Sequence, residues 1–182
     1  MKEIEPLLKH GHVHFGENKV QEAIHKWTDV KKNFENVKLH MIGKLQTNKT
    51  KYIIPLFDFF HSLDNIKLAE KISKEEKNFK KKIKIFIQVN IGNEEQKNGV
   101  QIKELENFYE TCVNKLDLNI IGLMCLPPEK QDAKPFFKKM NELNKHLGLN
   151  ELSMGMSSDY LDAIQFGASF IRVGSKIFGK RN

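Results

Sequence analysis

Seven short β-like runs, each followed by a stretch with helical spacing, constrain this chain more than any single residue. The runs are His12–Gly16, Leu39–Gly43, Phe57–Leu63, Ile83–Ile91, Leu118–Leu126, Leu152–Met156 and Phe170–Gly174. Between them, apolar residues recur three and four apart, as on one face of a helix. Val20, Ile24, Trp27 and Val30 form one such face, Ile102, Leu105, Phe108 and Cys112 another, and Phe136, Met140, Leu143 and Leu147 a third. Gly148 then stands where a helix C-cap is expected. Strands that alternate with helices pair in parallel, because each connection has to cross the sheet. Ile83–Ile91 is apolar except at Lys84, Gln88 and Asn90, as suits a strand covered on both faces. Seven strands are too many for a three-layer sandwich of 182 residues and one short of a (β/α)8 barrel. The chain opens on helical spacing (Ile4, Leu7, Leu8) with no strand before it. The expectation is therefore an α/β barrel of the TIM type, a single domain over residues 1–182, lacking its first strand.

Composition narrows the partners. No apolar run approaches the ~20 residues of a membrane span, and the first ten residues carry charges throughout, unlike a signal peptide. Cys112 and Cys125 cannot build a disulfide framework or a metal knuckle, which points to a reducing, cytoplasmic compartment. On their apolar segments they read as small buried hydrophobes. The net charge of +7 would suit an anionic partner. It is nearly all lysine, however, with only Arg172 and Arg181 as arginines, whereas nucleic-acid readers lean on arginine forks. The dense run from Lys71 to Lys84 reads as a solvated helix face. Neither nucleic acid nor membrane is expected as a partner.

Barrel enzymes place their sites at the carboxyl ends of the strands, often with a phosphate held after the last two. The segment Ser153–Asp159 runs from a strand into a helix whose expected face is Leu161, Ile164 and Ala168. Ser157 or Ser158 would stand at its N-cap, where hydroxyls and free N–H groups face an anion. Ile171–Ser175 ends the final strand with Gly174, which allows close backbone approach, and another hydroxyl, Ser175. Two adjacent strands would thus aim amides, hydroxyls and the Arg172 guanidinium at one volume.

An ordered set of motifs along essentially the whole chain resembles the pyridoxal phosphate homeostasis proteins, barrels similar to the N-terminal domain of alanine racemase. The set comprises Phe15–Asn18 with Val20–Glu22, then His40–Gly43 with Leu45-Gln46 and Asn48-Lys49, and then His61–Asp64. Gln88–Asn90, Gly122–Met124, Ser153–Asp159 and Ile171–Gly179 follow in order. The resemblance implies a pyridoxal 5'-phosphate-binding protein of cytosolic cofactor homeostasis, a carrier without robust catalysis. It implies a phosphate held by Ser157, Gly174 and Ser175, with Ser153 and Met154 close by. It places Arg172 at the pyridine nitrogen and Asn18 along the ring. An arginine there disfavours protonation of that nitrogen and weakens the ring as an electron sink. Pyridoxal-phosphate-dependent apoenzymes would be the recipients, and the chain is expected to act as a monomer.

One feature departs from the family. Its aldimine lysine lies at the end of the first strand, just before the helix that opens this chain, and Lys2 falls inside that helix. A Schiff-base amine needs to sit beside the aldehyde, partly deprotonated by burial. Lys44, after the third strand of the family's barrel, is the substitute to consider. Either the start lies upstream, or the cofactor is bound without a covalent link. A competing reading comes from His12 and His14, two imidazoles on one strand face, as in barrel-type metal-dependent hydrolases, with His40 and His61 as further ligands. Asp64 and Glu17 could serve as acid and base, though no partner at a defined spacing supports it.

Overall fold

The computed structural model describes residues 3–94 and 96–179. Seven parallel strands form one sheet in chain order: β1 (His14–Glu17), β2 (Lys38–Met41), β3 (Phe59–Leu63), β4 (Lys84–Val89), β5 (Ile120–Cys125), β6 (Glu151–Met156) and β7 (Phe170–Arg172). All seven coincide with the expected runs, with ends shifted by no more than two residues. The sheet curls into a nearly closed barrel. The rings of His14 on β1 and Phe170 on β7 meet edge to face at 6.2 Å between centroids. The helices α1 (Glu5–Lys9), α2 (Val20–Trp27), α3 (Val30–Asn33), α4 (Thr50–Leu56), α5 (Ile66–Phe79), α6 (Leu105–Glu110), α7 (Lys134–His146), α8 (Tyr160–Gln165) and α9 (Ser175–Phe178) surround it. None among the described residues is long and apolar enough to cross a membrane.

Alternation along the strands sorts the core into two layers. Phe15, Leu39, Met41, Phe60, Ile85, Ile87, Leu123 and Met154 join the larger apolar cluster, which also holds helical residues such as Trp27, Ile53 and Leu68. Phe59, Phe86 and Met124, with Ile121 and Phe170 against them, fill the lumen. Trp27 is fully buried, and its indole N–H donates to Glu17 Oε1 at 2.6 Å; Lys26 reaches the same oxygen at 2.7 Å. Glu17 is thereby a structural anchor for α2 rather than an acid or base.

The helical faces needed revision. On α7 the buried residues are Phe137, Met140 and Asn144, one step round from the expected stripe, of which Phe136, Leu143 and Leu147 are only partly buried. Asn144 holds a core position because its amide is satisfied there: its Oδ1 accepts from Leu123 N of β5, and its Nδ2 donates to Leu149 O ahead of β6. Gly148 takes the expected capping role with φ +68°, its N–H donating to Lys145 O. On α8 the expected face is overturned. Leu161 and Ile164 are 63% and 49% exposed, and the helix packs instead through Ala163. In the lysine-rich stretch, Lys81 donates to Pro55 O and Phe57 O, while Lys82 pairs with Glu76 and Asp117. Part of that charge therefore ties down the end of α4 and the loop at Asp117. Both cysteines are buried, and burial pushes each thiol up to about 12.

Candidate functional site

The carboxyl ends of β6 and β7 lie side by side, with Met156 in register with Arg172. Gly155, at φ +88°, makes this possible. A Cβ there would stand 2.6 Å from the Cβ of Ala163, so only glycine lets α8 fold back so tightly on its own strand. The N-cap of α8 is Asp159, not Ser157 or Ser158 as expected, and Asp159 Oδ1 accepts from Met156 N at 2.6 Å. This tight turn frees Ser157 to face the neighbouring strand. Its Oγ accepts from Gly174 N at 3.3 Å. Gly174 itself has open space around it, since an added Cβ would meet nothing within 4 Å. Ser175 follows, exposed, as the first residue of α9.

Arg172 reaches across two strands from this corner. Its Nη1 donates to Ser153 Oγ at 2.6 Å and its Nη2 to Cys125 O at 2.8 Å. Two of the five guanidinium donors are thus engaged among the described residues. The structure thus brings Ser157, Gly174, Ser175, Arg172 and Ser153 together. Ser153 lies deeper than expected, fully buried in the lumen and engaged with Arg172. Met154 is also fully buried, in the larger apolar cluster, so its side chain lines no mouth. Asn18 is exposed just after β1. Its backbone packs so closely on Gly43 that a Cβ at Gly43 would collide with it.

Lys44 is exposed, and its Nζ donates to Asn98 Oδ1 at 2.8 Å. Lys2 lies outside the described residues. Asp64 accepts from the amide of Asn65.

The histidines overturn the metal reading. No group of three metal-capable side chains occurs among the described residues. His12 is exposed, and its Nε2 lies 2.8 Å from His14 O. His14 turns the other way, into the barrel. There its Nδ1 lies 2.9 Å from His40 Nε2, and His40 Nδ1 lies 2.9 Å from His61 Nε2. His61 Nδ1 lies 2.8 Å from Ser153 Oγ. The rings of His40 and His61 stack on Phe59 and Phe86 with centroids 4.1 and 4.3 Å apart. His40 and His61 are 5% and 1% exposed. Burial, reinforced by the neighbouring His14, pulls His40 down to about 3. Burial, with His40 and Arg172 nearby, holds His61 well below the ordinary imidazole range. Both rings are neutral near pH 7, with their nitrogens engaged by one another.

Compared with known proteins, residues 1–182 match the alanine racemase N-terminal domain model. This chain belongs to that family. Within it, the chain is 39% identical over 178 residues to the pyridoxal phosphate homeostasis protein of Aquifex aeolicus, covering 92% of this chain and 76% of the relative. It is 35% identical to the pyridoxal phosphate homeostasis protein of Haemophilus influenzae over 94% of this chain and 77% of that one. Among solved structures, PipY of Synechococcus elongatus with PLP bound superimposes with a TM-score of 0.89 at 32% identity, over 97% of this chain and 86% of PipY. The alanine racemase of Corynebacterium glutamicum, at 14% identity and a TM-score of 0.66, shares the fold alone. The alanine racemase N-terminal domain family thus accounts for the barrel seen here.

Proposed function

We propose that this chain binds pyridoxal 5'-phosphate at the β6–β7 corner and serves as a cofactor carrier. The observation that carries the reading is the convergence of Ser157, Gly174 and Arg172 from two adjacent strand ends. The donor chemistry fits the group. The Gly174 amide, the hydroxyls of Ser157 and Ser175 and the open space over Gly174 suit a phosphate. The free donors of Arg172 suit a ring nitrogen, and Asn18 would border the ring.

Pyridoxal phosphate supplies an aldehyde and an electron-accepting ring. A permanently charged guanidinium disfavours a proton on the ring nitrogen and so damps that capacity. Ser153 and Cys125 O hold the guanidinium from behind, so its orientation is set by the barrel before any ligand arrives. Such a site favours keeping the cofactor over using it. The homeostasis role borne by the relatives' names fits this reading, with pyridoxal-phosphate-dependent apoenzymes as recipients and a monomer in the cytosol as the acting form.

Titration of pyridoxal phosphate into the protein and into Arg172→Ala tests the assignment. Losing a charge-assisted hydrogen bond of about 1.5–3 kcal/mol should weaken binding about tenfold to a hundredfold. Unchanged affinity would refute the site.

A further inference from the structure

Behind Arg172 runs a file of side chains with no role in the site as described so far. Ser153 Oγ, which accepts from the guanidinium, is followed by His61, His40 and His14, each link 2.8 or 2.9 Å long. The three imidazoles come one each from β3, β2 and β1, and the serine from β6. The file therefore crosses the lumen from the guanidinium to the exposed edge of β1.

Each link between two such groups holds one proton, so the file has only two self-consistent polarities. In the first, the Ser153 hydroxyl donates to His61 Nδ1, His61 Nε2–H donates to His40 Nδ1, and His40 Nε2–H donates to His14 Nδ1. Every ring then carries its proton on Nε2; the donors of Ser153, His61 and His40 are engaged, and the proton on His14 Nε2 lies at the exposed end of the file. In the second, each ring is protonated on Nδ1, and Ser153 Oγ accepts from both His61 and Arg172. Its own hydroxyl proton is then left without an acceptor among the described residues, at a fully buried position.

We propose that His61, His40 and His14 form a positioning relay that locks the Ser153 hydroxyl in the first polarity and so fixes the orientation of Arg172. The inference rests on the reading of Arg172 as the partner of the ring nitrogen. The outer end of the relay is open to protons. A doubly protonated His14 would set its Nδ1–H against His40 Nε2–H and force the whole file into the second polarity. The groups facing His14 are His12 just ahead of its own strand, Lys38 on β2, Lys84 on β4, Asp58 ahead of β3, and His40. Burial first, and then the positive charge that His12, Lys38 and Lys84 can carry, outweighs the acidic Asp58 and holds His14 below the ordinary imidazole value. Acid taken up at β1 would thus be felt at Arg172 on β7.

Histidine labelled with nitrogen-15, read by long-range proton–nitrogen correlation on the protein without ligand, tests the polarity directly. All three rings should show Nε2–H signatures near pH 8, and His40 and His61 should keep them down to about pH 6. Nδ1–H tautomers, or ordinary titration of either inner ring, would overturn the relay. His61→Phe preserves the stack on Phe86 while removing the acceptor for Ser153. It should lower pyridoxal phosphate affinity about fivefold to tenfold and move the absorption band of the bound cofactor toward the form protonated on its ring nitrogen. Parent-like affinity and band would count against the proposal. Should that variant fail to fold, Ser153→Ala removes one hydroxyl and should leave His61 in a mixture of tautomers; a single unchanged tautomer would contradict the relay. A parent protein that takes no pyridoxal phosphate would refute the cofactor reading, and the tautomers would still decide the relay.

Discussion

At the scale of single residues, position in the barrel decides which side chains are available for chemistry. Lys44 illustrates the point. It is exposed, and Asn98 holds its amine, so it lacks the buried setting of an aldehyde partner. We expect Lys44→Ala to keep pyridoxal phosphate affinity within about twofold of the parent, since an exposed hydrogen bond contributes little. Borohydride followed by peptide mapping should find no cofactor on the peptide that contains Lys44, and a modified peptide would reverse that view. Ser157, Arg172, Gly174 and Ser175 could be picked out in the sequence because two hydroxyl- and glycine-bearing segments end neighbouring strands. The second function of Ser153 could not. Its partner His61 lies 92 residues away, and only the strand register brings them together. A signal was nonetheless present: His14, His40 and His61 all occupy inward positions on successive strands, which counting alternate residues could have found. Reading His12 and His14 as one pair missed that the chain turns them to different partners.

At the scale of elements, the alternation of strand and helix was legible because it follows from the apolar period alone. The helical faces were less so. On α7 the expected stripe assumed that only apolar residues face the core. Asn144 breaks that assumption by satisfying a backbone N–H of β5 and a carbonyl ahead of β6. Asn144→Leu should therefore destabilise the protein despite its greater apolarity. A loss of about 1–2 kcal/mol, read as a lower urea midpoint, is expected from the polar groups left behind. An equal or higher midpoint would show that the amide is dispensable. On α8 the apolar period was read as a buried face, but Gly155 draws the helix in on Ala163 and turns Leu161 and Ile164 outward. Periodicity gives the spacing of a stripe and not the direction in which it is turned.

At the scale of the whole molecule, two uncharged imidazoles in the lumen make stability depend on pH. Their folded-state values lie below the unfolded value of about 6.5, so below that pH the unfolded chain binds more protons and stability falls with acidity. From pH 6.5 to 5 His40 should remove about 1.5 kcal/mol, with His61 acting in the same direction, which repeated urea unfolding can read. Glu76, raised by burial, acts with the opposite sign, so the comparison with His40→Gln isolates the histidines. That variant should show a shallower slope; an unchanged slope would place the titrating groups elsewhere. The barrel as a whole was foreseeable from seven strands in one chain. Its polar interior was not, because composition does not say which histidines meet.

Arg172 belongs to the shortest strand of the sheet, three residues that pair on one side with β6. Its guanidinium bridges to a hydroxyl of β6 and a carbonyl of β5. The side chain therefore works as a cross-stay for the edge of the barrel. On the proposed reading, a ligand gripped by that guanidinium would also tighten the last strand, so that occupancy of the mouth and closure of the wall would share one fastening.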